Sequence, residues 1–78
     1  MKITDGEKNM MAVSETIKKL RINLHLEQEE FGDLIGVTKS AVCNYERCVR
    51  KPRIKTIRSI LKLAKKNNIN VDIEDFLE

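Results

Sequence analysis

Residues 26–46 read Leu26-Glu-Gln-Glu-Glu-Phe-Gly-Asp-Leu-Ile-Gly-Val-Thr-Lys-Ser-Ala-Val-Cys-Asn-Tyr-Glu46, and this stretch decides the fold. Phe31, Leu34 and Ile35 share one face of a short helix over about Gln28 to Ile35, and Gln28, Glu29 and Asp33 share the other. Glu29 and Glu30 suit its first turn, where the helix dipole favours negative charge. Gly36 follows at once and supplies the left-handed conformation that stops a helix. Gly32 inside this helix costs roughly 1 kcal/mol against alanine, so close approach of another helix is expected there. Thr38 is a good N-cap for a second helix, Lys39 to about Arg47. Only Gly36, Val37 and Thr38 separate the two.

The second helix is two-faced. On a wheel of about 100° per residue, Ala41, Val42 and Tyr45 fall on a small apolar side. Lys39, Ser40, Cys43, Asn44 and Arg47 fall on the other, which carries no acid.

Outward from this core, Val13, Ile17, Leu20 and Leu24 recur at helical spacing, predicting a preceding helix from near Ala12 to about Asn23. Residues 1–11 show no clear period and are expected to form a mobile arm, leaving 12–78 as one domain. Downstream, Pro52 forbids helix just before it. Ile57, Ile60, Leu61, Leu63 and Ala64 then form the apolar arc of a helix from about Lys55 to Asn67, stopped by Asn67-Asn68. Asp72 is placed to cap a fifth, short helix whose apolar side is Ile73, Phe76 and Leu77. These three offer either a lid on the core or part of a self-association surface. The expected fold is all-α, five helices with short connections.

Seventy-eight residues, 41% hydrophobic and 35% charged, make one small globular domain with little room for an enclosed active site. No apolar run is long enough to cross a bilayer, and residues 1–12 lack the apolar stretch of a signal peptide, so the expected compartment is the cytoplasm. Cys43 and Cys48 with the one histidine, His25, cannot supply a four-ligand zinc site of the Cys/His kind. Five residues apart on a helix, the two cysteines point about 140° apart and are expected to be reduced thiols. No metal or cofactor is implied, and no nucleophile–base pairing supports an enzyme. Net charge is only +3, but residues 38–66 carry +9 and the remainder −6. Such asymmetry points to a polyanionic partner or, more plainly, to a solvated basic face.

A short helix, a tight glycine turn and a helix with a basic, polar outer face form a helix-turn-helix pattern. The residues resemble the lambda-repressor-like, Cro-like (XRE-type) DNA-binding family. Gln28, Phe31, Gly32, Ile35, Gly36, Val37, Thr38, Val42, Tyr45 and Glu46 fall on that family's motif. Lys19-Leu-Arg21 resembles its first-helix ending, and Pro52 and Leu63-Ala64-Lys65 its fourth helix, so the likeness runs from about Val13 to Leu77. Three positions depart from it. Glu27 stands where Ser, Thr or Asn usually caps, which should weaken that helix start. Cys48 stands where glycine usually ends the recognition helix, and cysteine has no ease at positive φ, so that helix is expected to end differently or run longer. The link from Asn67 to Val71 is about two residues longer than usual.

The resemblance implies roles. Lys39, Ser40 and Asn44 match base-reading positions, and their chemistry fits: lysine donates to guanine, asparagine pairs with adenine, serine goes either way. Cys43 between them touches a thymine methyl or packs at the edge. Gln28 and Thr38 match phosphate-contacting positions, with Thr38 also a cap. Arg47, Arg50, Lys51 and Lys55 flank the turn after the recognition helix, suited to the DNA backbone. Lys62, Lys65 and Lys66 sit farther along and read as a solvated face. Arg21 and Glu46 match a pair that fixes how the recognition helix is presented.

The function this implies is a sequence-specific transcriptional regulator of double-stranded DNA, a repressor of bacterial or phage type acting as a homodimer on a two-fold operator. Two rivals remain open. One is an antitoxin that binds its operator and a toxin protein, with the arm folding on that partner. The other is a protein-interaction module that keeps the fold without binding DNA.

Overall fold

The computed structural model describes residues 5–71 and Phe76, with side chains described from Val13 onward. Four helices follow one another: α1 (Asp5–Asn23), α2 (Gln28–Ile35), α3 (Lys39–Glu46) and α4 (Ile54–Lys66). No strand occurs among the described residues. The all-α expectation therefore holds, with four helices among the described residues. The helix expected from Asp72 falls on residues 72–75 and 77–78, outside the described ones.

α1 starts at Asp5, well before the start expected near Ala12. The residues added include Met10 and Met11, good helix formers, and extending a nucleated helix is cheap. α3 packs on both α1 and α2, and α4 packs on α2. Val13, Ile17 and Leu20 from α1, Phe31 and Ile35 from α2, Val42 and Tyr45 from α3, and Ile57, Ile60 and Ala64 from α4 make one core. Phe76 joins it at 1% exposure, which supports the lid reading for that residue. Ile69 and Val71 in the longer link also lean on the core. Leu34 departs from its expected place. It is 56% exposed and edges two open hollows between α2 and α4 rather than entering the core.

Gly32 meets a backbone rather than a helix. A Cβ there would lie 2.6 Å from the Val37 carbonyl oxygen, so the turn itself folds back against α2. Glu27 does not leave α2 unsupported. Its N–H donates to the Glu30 carboxylate at 2.9 Å, the reaching-back half of a capping box. Thr38 caps α3, its Oγ1 accepting from the Ala41 N–H at 3.1 Å.

All four helices end alike. One residue turns left-handed: His25 (φ 57°), Gly36 (φ 79°), Cys48 (φ 60°) and Asn68 (φ 58°). The next N–H then donates back five residues: Leu26 to Arg21, Val37 to Gly32, Val49 to Asn44 and Ile69 to Ala64. This is the Schellman arrangement, which satisfies a carbonyl that the helix end orphans. Only one of the four left-handed residues is glycine. The expectation for Cys48 is thus corrected: α3 ends at Glu46, and Cys48 takes the positive φ itself. Its thiol donates to the Ser14 hydroxyl of α1 at 3.0 Å. That tie holds the strained residue in place.

Candidate nucleic-acid interface

The interface is built on α3, whose apolar side buries Ala41, Val42 and Tyr45 and so turns the opposite side outward. Lys39, Ser40, Cys43, Asn44 and Arg47 line one shallow hollow there, together with Gln28 from the start of α2. The structure thus brings the three expected base-reading residues together with two of the expected phosphate-contacting ones. No carboxylate lines the hollow. Lys39, Ser40 and Arg47 are exposed; Cys43, Asn44 and Gln28 are half-buried.

The other expected contacts lie apart from it. Thr38 is exposed and spends its hydroxyl oxygen on the α3 cap. Arg50 and Lys55 edge a second hollow across α3, with Tyr45, Arg53 and Thr56. Lys51, between them in sequence, is half-buried.

A network behind α3 fixes its angle. Arg21 Nε donates to Glu46 Oε2 at 2.7 Å, and Nη2 to Oε1 at 3.0 Å. Arg21 Nη1 also donates to the Leu26 carbonyl at 3.0 Å. The Gln28 carboxamide donates to the same Glu46 Oε1 at 3.3 Å. One carboxylate at the end of α3 therefore ties the ends of α1 and α2 together. The hydrogen bond from Glu46 raises the Arg21 pKa above its ordinary value, against the opposing pull of burial. The Gln28–Glu46 contact had no signal in the sequence beyond the two residues falling on one motif. The left-handed role of Cys48 had one: the slot usually belongs to glycine.

The helix-turn-helix family model matches residues 17–72, well over half of the chain. The chain belongs to the XRE-type helix-turn-helix family, similar to lambda repressor and Cro. It is a DNA-binding regulator of the XRE type. No curated protein and no solved structure matches the chain. Among the described residues, no group of His, Cys, Asp or Glu is placed to hold a metal, and no helix is long and apolar enough to cross a membrane.

Proposed function

We propose that this XRE-type protein is a sequence-specific transcriptional repressor that binds a two-fold operator as a homodimer, with α3 in the major groove. One observation carries the reading. Lys39, Ser40 and Asn44 line a single acid-free hollow on the outer face of α3. None of the three side chains makes a hydrogen bond among the described residues, so their donors and acceptors are free for base edges.

Gln28, Thr38, Arg47, Arg50, Lys51 and Lys55 contact the phosphates on either side and set the register. Two copies read two half-sites about one helical turn apart. The expected complex has no metal or cofactor. The test is selection from a base-randomised duplex library, followed by sedimentation of the protein with the selected duplex. A two-fold consensus bound by two copies is expected. Equal binding to every duplex, or none, would sink the proposal and favour an interaction module.

A further inference from the structure

The hollow on the outer face of α3 has a centre. Cys43 lies one turn from Lys39 and from Arg47 and three residues from Ser40, so it stands in the middle of the α3 residues that line it. All its companions there, Gln28 and Asn44 included, end in charged or hydrogen-bonding groups. Cys43 differs in kind. A free thiol behaves as a small hydrophobe with a weak donor. This one makes no hydrogen bond among the described residues, whereas the thiol of Cys48 donates to Ser14. Nor does it belong to the buried side of α3, which is Ala41, Val42 and Tyr45. The hollow is thus a set of polar groups around one half-buried apolar spot.

What such a spot can face in a major groove is narrow. Base edges there carry hydrogen-bond donors and acceptors, and the one apolar group they project is the thymine methyl. Set against a carbonyl or amino group, the thiol would take that group out of water and return little in exchange. Set against a methyl, it removes apolar surface from water on both sides.

We propose that Cys43 is a specificity-determining residue that reads thymine by its methyl group. The inference rests on the DNA-binding reading above and adds a fourth base-facing residue to it. Lys39, Ser40 and Asn44 select by hydrogen bonds; Cys43 selects by apolar contact. Because it sits between them, the thymine lies within each half-site and not at its flank.

Deoxyuridine in place of thymine removes the methyl and leaves every hydrogen-bonding group of the base. In a scan of the selected operator, one position per half-site should respond, each replacement costing the parent about fourfold in affinity, as for one buried methyl group. Cys43→Ser puts a hydroxyl where the thiol was and should bind the thymine and deoxyuridine operators alike. Cys43→Ala keeps an apolar tip and should retain part of the preference. Both variants should melt close to the parent, since the thiol makes no bond in the free protein. Bromouracil at the responding position needs no variant: bromine is similar in size to a methyl, and irradiation should join the base to Cys43, identified by mass spectrometry of the cross-linked peptide. Three outcomes overturn the proposal: no deoxyuridine position lowering affinity, a loss that persists undiminished in Cys43→Ser, or a cross-link to other residues only. A parent that binds no duplex would instead overturn the DNA-binding reading.

Discussion

Arg21 of α1 grips Glu46 at the end of α3 through two parallel hydrogen bonds, at 2.7 and 3.0 Å, with the two side chains only 17% and 6% exposed. Removing one partner leaves the other largely buried without compensation. Arg21→Ala and Glu46→Ala should each cost roughly 2–4 kcal/mol, above the 0–1 kcal/mol of an exposed pair. Thermal melts of both variants and the double variant check this. Strictly additive losses would mean that the two residues are not coupled. The sign of any pH effect follows from the raised Arg21 pKa. A raised folded-state pKa contributes stability that is present below the ordinary arginine value and lost only as pH rises through the folded one. Titration of Arg21 should therefore add no slope to a stability profile between about pH 5 and 9.

Gly32→Ala inverts the usual helix ranking. Alanine gains roughly 1 kcal/mol inside a helix, but here its methyl would sit 2.6 Å from the Val37 carbonyl oxygen. The turn would have to move, and the net result should be a loss of roughly 1–3 kcal/mol. Urea unfolding measures it. A more stable variant would show that the turn yields freely.

Cys48→Gly should go the other way. A left-handed L-residue costs roughly 1–2 kcal/mol, and glycine returns part of that as unfolded-state entropy. Losing the thiol contact to Ser14 offsets a little more. A net gain of about 0.5 kcal/mol is expected, seen as a higher melting midpoint. A lower midpoint would make the Ser14 tie the larger effect.

Reading and holding should separate on DNA. Asn44 faces the α3 hollow, whereas Arg50 lies beyond the helix and edges the second one. Asn44→Ala should cost about 1–3 kcal/mol on the selected operator and relax the choice at one base pair. Arg50→Ala should weaken all duplexes alike and reduce the salt slope by about one. Competition in a randomised library tells the two apart; a changed consensus for Arg50→Ala would reverse the roles.

Phe76→Ala should unfold rather than dissociate the protein. Phe76 is among the most buried side chains, and emptying such a site costs about 3–5 kcal/mol. Denaturation at several protein concentrations distinguishes the cases. A folded variant that sediments as a smaller species would return Phe76 to a subunit interface.

Local chemistry was legible in the chain. Thr38 announces the α3 cap, Gly36 the end of α2, and the period of Val13, Ile17 and Leu20 the buried side of α1, because caps and amphipathic stripes depend on neighbours within one turn. The outward face of α3 followed from the same rule, once Ala41, Val42 and Tyr45 were seen to share a side. Distance in space was not legible. Gly32 looked like a helix contact, and only the folded turn showed the Val37 carbonyl against it. Leu34 looked like core, and only the way α2 sits on α4 left it at the open edge between them. Cys48 looked unfit for a left-handed turn, yet the Val49 N–H on Asn44 and its own thiol on Ser14 hold it there. Sequence determined which faces exist; packing of one helix on another decided which atoms of each face remained free.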